Sequence, residues 1–310
     1  MFDIVKYTAD RQAEWDAFID QSKNGTFLLK RGYMDYHADR FADESLMFYQ
    51  KEKLYAVLPA NVEDEVLHSH QGLTYGGLIM TERCTAAKVV CLFEEMNEWL
   101  KERGVKKVIY KPIPHIYSTL PSEEDLYALF RCGAKLLARG ISSSIDLQSR
   151  PKWKQNRRTA LNKAASEKVI VEKSDDLESF WEILEQNLML SHGVKPVHSV
   201  KEMQLLQKRF PEDILLLVAK NTQGDLMGGI LLYMTKQVIH SQYISATEEG
   251  KRMGAVDAIM HEVLSMKGKY FDFGISTEDC GHYLNDKLIF QKEGFGGRGI
   301  CYDIYEYTIS

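Results

Sequence analysis

Apolar and polar positions along the chain fall into two passes of the same order. In the first, LMFYQ (46–50) and KLYAVLPANV (53–62) alternate as neighbouring antiparallel strands. EVLHSHQGLTYGGLIM (65–80) reads as a strand broken by glycines, with Gly76 and Gly77 marking a bulge. Residues 84–103 place Val89, Leu92, Phe93, Met96, Trp99 and Leu100 at helical spacing. VKKVIYKP is a strand ended by Pro112, SEEDLYALF a short helix capped by Ser122, and AKLLARGISSSIDL a returning strand.

The second pass repeats this. Leu177, Phe180, Trp181, Leu184 and Leu188 share one helical face, and SVKEMQLLQKRF follows as a helix with Ser199 and Glu202 in capping-box spacing. DILLLVAK and LMGGILLYMT are strands joined by the turn NTQGD, and VIHSQYISA is the next strand. A helix over 251–266 turns Val256, Ile259, Met260, Val263 and Leu264 inward. YFDFG is a strand, HYLNDKLIF a short helix and GICYDIYEYTI an alternating last strand. The repeated order predicts an α/β fold (α+β, mixed sheet) made of two like units, residues 1–150 and 151–310, each a mostly antiparallel twisted sheet flanked by helices.

The break between them is PKWKQNRRTALNKAASEK (151–168), where Lys152, Lys154, Arg157, Arg158, Lys163 and Lys168 face one acid, Glu167. Such a run is either a solvated linker helix or an edge that binds phosphates or carboxylates. The chain as a whole carries a formal charge of −5, which argues against general coating of nucleic acid but leaves room for a local basic groove. With 310 residues, 45% hydrophobic and 27% charged, a large packed core is expected. Five scattered cysteines without CxxC or Cys/His spacing suit reduced thiols in a cytoplasm and no metal site. No signal-like or membrane-spanning stretch is present, so a soluble cytoplasmic protein is expected.

Three segments, WKQNRRTALNKA (153–164), SHQGLTYGGLI (69–79) and LNDKLIFQKEGFG (284–296), together with the order of elements, resemble the FemAB/FemX-like proteins. That group is built from two tandem domains of the GNAT (GCN5-related N-acyltransferase) fold, and the resemblance covers most of the chain. It implies transfer of an acyl or aminoacyl group to an amine. The donor would be acyl-CoA, as in ordinary GNAT enzymes, or aminoacyl-tRNA, as in FemX-like enzymes that act on a peptidoglycan precursor. The acceptor would be an amine-bearing small molecule, sugar or peptide precursor of the cell envelope, held by the first domain, with donor and transfer site in the second. A non-catalytic binding protein on the same fold is the alternative of another class.

An acyl-CoA enzyme needs backbone N–H groups at a helix N-terminus to hold a pyrophosphate. The matching stretch is Lys251, Arg252, Met253, Gly254 and Ala255, with Lys251 where the family pattern has Arg or Gln and Val256 where it has a small residue. An ordinary glycine-containing helix start is the bland reading. Transfer also needs a donor or cation at the developing oxyanion. The resemblance assigns this to Lys292, just before the Gly-Phe-Gly turn; a surface lysine at a helix end is the other reading. Asp272, at the end of its strand, could orient the nucleophile, act as base or cap a turn, and Tyr243 could donate to the oxyanion or sit in the core. No Ser/His/Asp or Cys/His constellation is evident, which suits direct transfer. Candidate substrate contacts are His192 and His198 in SHGVKPVHS, Ser276, Asn285 and Arg158 in the second half, and Lys30, Arg31 and Tyr75 in the first.

Overall fold

A computed structural model describes residues 1–309, apart from the side chain of His192. The first part of the chain forms β1 (Asp3–Lys6), α1 (Gln12–Gln21), α2 (Arg31–Met34), β2 (Leu46–Gln50), β3 (Lys53–Leu58), β4 (Asn61–Glu63), β5 (Val66–His68), β6 (Ile79–Met80), α3 (Ala86–Lys101), β7 (Lys107–Tyr110) and α4 (Glu124–Arg131). Next come β8 (Lys135–Asp146), α5 (Gln155–Ser166), β9 (Ile170–Ser174), α6 (Leu177–His192), α7 (Val200–Arg209), β10 (Ile214–Lys220), β11 (Leu226–Met234) and β12 (Val238–Ala246). The chain closes with α8 (Glu248–Met253), α9 (Ala255–Ser265), β13 (Tyr270–Ile275), β14 (Thr277–Glu278), β15 (Tyr283–Leu284), α10 (Asp286–Gly294) and β16 (Arg298–Thr308).

These elements gather into two compact units, each discontinuous in sequence. Unit 1 holds Met1–Ile141, Thr277–Tyr283 and the chain from Cys301; unit 2 holds Ser142–Ser276 and Leu284–Ile300. The divisions fall inside β8, between β13 and β14, inside β15 and inside β16.

In unit 1, β1, β2, β3 and β6 form an antiparallel sheet, and β4, β5 and β7 pair in that order with β7 antiparallel to the end of β16, Tyr305 opposite Tyr110. The predicted face of α3 is the buried one: Val89, Leu92, Phe93, Met96 and Leu100 pack with Phe48, Tyr55, Tyr110 and Tyr307. Two local expectations change. Glu123, not Ser122, is the N-cap of α4, and the Ser122 hydroxyl is buried one residue too early to reach the helix's first N–H groups. Gly76 and Gly77 lie in a loop rather than a strand bulge; the backbone of Gly76 crosses the Ser69 carbonyl so closely that a Cβ would stand 2.0 Å from it.

Unit 2 orders its strands β8-β13-β12-β11-β10-β9, all antiparallel except β12 beside β13. On one face α9 buries Ala255, Ile259, Met260 and Val263 against Ile230, Leu232, Ile239 and Phe271. Phe180, Trp181 and Leu184 of α6 and Met203 and Leu206 of α7 are buried in the same unit. The capping box of α7 forms as its spacing predicts: Glu202 N–H donates to Ser199 Oγ and Ser199 N–H to the Glu202 carboxylate. No helix among the described residues is long and apolar enough to cross a membrane.

Candidate functional site

The site begins with a divergence of two parallel strands. β12 and β13 pair at only three positions, Val238–Tyr270, Ile239–Phe271 and His240–Asp272, and then separate. Two irregularities help them do so. In β12 the register slips opposite Leu231 and Leu232, so Ser241 and Tyr243 pair with successive residues of β11 and face opposite sides. In β13 the register with β8 slips between Asp272 and Ile275, with Gly274 in the left-handed region at φ +76. The wedge opens a cleft of about 700 Å³, within the size range of ligand sites. Its walls include Leu184, Asn187 and Leu188 of α6, Ser241 and Ser245 of β12, Phe273 of β13, and Leu288 and Lys292 of α10, with Asn156, Arg157, Lys251 and Asp257 at one side.

Lys292 is the buried ammonium in that wall. It is 8% exposed, and its Nζ donates to the carbonyls of Gly274 at 2.8 Å and Ile275 at 2.9 Å. An ammonium has three N–H bonds, so one more partner can be served. Burial lowers its pKa to about 8, with the nearby Asp272 carboxyl pulling the other way. The surface-lysine reading therefore fails: the helix end that carries Lys292 is buried.

Asp272 is fully buried. Ser142 Oγ–H donates to its Oδ1 at 2.5 Å, and its Oδ2 is 2.9 Å from His240 Nδ1. Sequence reasoning found neither partner. The one signal for His240 is a titratable residue amid an apolar strand; for Ser142 there is none, because its approach to Asp272 is set by the register of β8 on β13.

Arg157 closes the cleft from α5. Its guanidinium lies 4.3 Å from the centre of the Phe295 ring and 3.5 Å from Asp257 Oδ1. Burial pushes the Asp257 carboxyl up in pKa, and Arg157 opposes this. The Gly-Phe-Gly turn thus seats α5: Lys154 N–H donates to the Gly294 carbonyl at 2.9 Å, and Trp153 meets the Phe295 ring edge-on at 5.1 Å. Lys152, Lys154, Arg158 and Lys163 of this segment stay exposed, as do Lys251 and Arg252 of the adjoining α8.

The segment matched to a pyrophosphate loop is built otherwise. Lys251, Arg252 and Met253 lie inside α8, which starts at Glu248 and is capped by Thr247 Oγ1 accepting from Gly250 N–H at 3.0 Å. Glu248 and Glu249 occupy its first turn, and Lys251 pairs with Glu248 at 2.6 Å. Gly254 joins α8 to α9 at φ +77, where an added Cβ would stand 2.2 Å from the Ala160 carbonyl oxygen of α5. Ala255 is buried in the core beneath it. The glycine serves the crossing of α5 over α9, and a carbonyl oxygen occupies the space over it.

The remaining candidates divide. Tyr243 does not line the cleft; the slip in β12 turns it onto Trp181, ring centres 5.2 Å apart, and its hydroxyl hydrogen-bonds His198 Nδ1 at 2.7 Å. Asn285 caps α10 by accepting from Leu288 N–H at 3.0 Å, and Ser276 is buried with its carbonyl accepting from Asn285 N–H. Arg158 hydrogen-bonds Gln155 on the outside of α5. The side chain of His192 lies outside the described residues. In unit 1, Lys30 pairs with Asp20 at 2.7 Å. Buried Arg31 is held by Asp35, Asp43 and Ser45 and lies over the Tyr7 ring. Tyr75 is buried with its hydroxyl 3.0 Å from that of Thr26. Arg31 and Tyr75 thus read as packing residues of their own unit.

No protein-family model matches the sequence, and no curated protein matches it. Solved structures do match in fold. FemX aligns over 99% of this chain and 97% of its own, with a TM-score of 0.70 and 11% identity. L-PGS from Bacillus licheniformis, a lysylphosphatidylglycerol synthetase, aligns over 97% and 92%, with a TM-score of 0.61 and 14% identity. A tandem GNAT protein from the clavulanic acid biosynthesis pathway aligns over 100% and 99%, with a TM-score of 0.53 and 11% identity. The chain has the FemX-like tandem GNAT fold.

Proposed function

We propose that this protein is an acyltransferase that moves an aminoacyl group from a tRNA carrier to an amine of a cell-envelope precursor. The observation that carries the reading is a buried lysine, Lys292, in the wall of the cleft between the diverging strands β12 and β13. Aminolysis of an ester passes through a tetrahedral oxyanion, and a fixed ammonium in a site screened from water stabilises that charge strongly. The chain offers a cation already desolvated and oriented by two carbonyls. In this reading Lys292 binds the carbonyl oxygen, while the side chain of the aminoacyl group rests among Leu184, Leu188 and Phe273. The amine's nitrogen forms the new bond to carbon, and the ester bond to the carrier breaks.

The choice of carrier follows from charge. A CoA pyrophosphate placed at Gly254 would meet the Ala160 carbonyl, with Glu248 and Glu249 close by in sequence. The cations sit elsewhere, exposed on α5 and the residues leading into it and on α8, where they suit the phosphates of a polynucleotide. The acceptor class rests on FemX and L-PGS as neighbours in fold. Residues 1–150 would hold the acceptor and 151–310 the donor and transfer site, and the working compartment would be the cytoplasm.

The test supplies labelled aminoacyl-tRNA, and in parallel acetyl-CoA, with UDP-linked muropeptide, amino-sugar or lipid-amine acceptors. Label moving from tRNA to an amine supports the reading. Label moving only from acetyl-CoA overturns the carrier, and no transfer from either donor overturns the enzyme.

A further inference from the structure

We infer that Asp257 receives the α-ammonium of the aminoacyl group and so selects aminoacyl donors over uncharged acyl ones; this rests on the transfer reading above. Among the described residues, the charged side chains lining the cleft are Arg157, Lys251, Asp257 and Lys292. Asp257 is the one acid against three cations. An aminoacyl ester carries its ammonium on the carbon next to the carbonyl. A carbonyl oxygen resting on Lys292 therefore brings a further positive charge into a positive cleft. In a site screened from water that approach is repelled unless a carboxylate meets it. Asp257 is the carboxylate that lines this cleft.

The local geometry leaves that carboxylate room for a ligand. Asp257 is 4% exposed and sits in the first turn of α9, where an acid also suits the helix dipole. Its side-chain partner is Arg157, whose Nη1 lies 3.5 Å from Oδ1, at the far limit of a hydrogen bond. An ion pair closed on itself would be shorter and bidentate. Arg157 instead lies over the Phe295 ring, and its Nε is buried with no hydrogen-bond partner among the described residues. Burial raises the pKa of Asp257, and the loosely placed guanidinium offsets this only in part. An ammonium with three N–H donors would supply what Arg157 leaves out. Arg157 also ties the acid's wall to that of Lys292. A Cβ on Gly294, two residues past Lys292 on α10, would lie 3.3 Å from Arg157 Cγ and Nε. One side chain thus touches the first turn of α9 and the last of α10, and the acid and the ammonium stand on the walls it joins.

The test compares one aminoacyl-tRNA with the same tRNA whose α-amine has been converted to a hydroxyl, which keeps the ester and the size and removes the charge. The ratio of kcat/KM for the two donors is followed from about pH 6.5 to 9, a range chosen around the ordinary α-amino pKa. At the acidic end the wild type should favour the aminoacyl donor by about 10–10²-fold. The ratio should fall as pH rises through about 8, where the α-ammonium is lost. Loss of the Lys292 proton acts on both donors and drops out of the ratio. Asp257→Asn, with melting curves to confirm folding, should lose most of the preference, and Asp257→Glu should keep more of it. The wild-type ratio and its pH dependence decide the matter even where the Asn variant does not fold. Equal use of both donors by the wild type, a ratio flat with pH, or a preference that survives in folded Asp257→Asn each overturns the inference and leaves the transfer reading intact. A wild type that uses neither tRNA overturns both.

Discussion

Lys292 donates to the carbonyl of Gly274 at 2.8 Å, and that residue's left-handed backbone makes the bond possible. A lysine so placed is costly to bury and useful for that reason: the site holds a cation that water does not screen.

Lys292→Met should therefore abolish transfer, by about 10²–10³-fold in the rate of the chemical step. Donor binding should change little. Single-turnover rates separate the two, and loss of affinity with an unchanged step would contradict the oxyanion role.

The same lysine gives a signed pH effect. Its folded-state pKa, about 8, lies below the ordinary 10.5, so the unfolded chain binds more protons between those values. Stability then rises with pH across that window. Between pH 7 and 10 the wild type should gain on Lys292→Met by at most about 3 kcal/mol, read by denaturant unfolding. Transfer should move oppositely, falling above about pH 8 as the ammonium is lost. A flat stability difference would show that the ammonium is solvated.

Gly254→Ala should destabilise by roughly 2–4 kcal/mol whether or not any nucleotide is present. The new Cβ would stand 2.2 Å from the Ala160 carbonyl, and the φ of +77 disfavours it as well. Melting without ligand checks this. A neutral substitution would mean that α5 does not press on α9 as described.

Lys154→Ala, Arg158→Ala and Lys251→Ala should each weaken binding of tRNA and reduce the slope of log K against log salt by about 1. Filter binding from low to moderate salt measures it. An unaltered slope in all three would put the carrier's phosphates elsewhere.

Asp125, buried beside Tyr110, has its pKa raised to about 6, mainly by burial. Here the native state holds the extra proton, so stability falls as pH rises from about 4 to 6. Asp125→Asn should flatten that part of the curve.

Much of the fold was legible because periodicity survives packing: α3 and α6 bury most of the residues that their 3.6-residue pattern picks out. The site was legible only in part. Lys292 and Asp272 stood out by type and place, but the pairing of Asp272 with His240 comes from strand register, which no single strand encodes. Tyr243 illustrates the reverse. Alternation puts it on the side of Ser241, and the slip opposite Leu231 and Leu232 turns it to Trp181. Gly254 carries the right residue type for a phosphate loop, yet the neighbour that decides its use, Ala160, lies far away in sequence.

Unit 1 closes with the strand that pairs Tyr305 with Tyr110 and buries Tyr307 in its core. Those residues leave the ribosome after all of unit 2. On synthesis, the half of the protein that is made first is thus the half completed last, and its apolar core stays open while the later half folds. A stop codon or a slow stretch just before residue 301 would therefore damage the beginning of the chain more than the segment nearest to it.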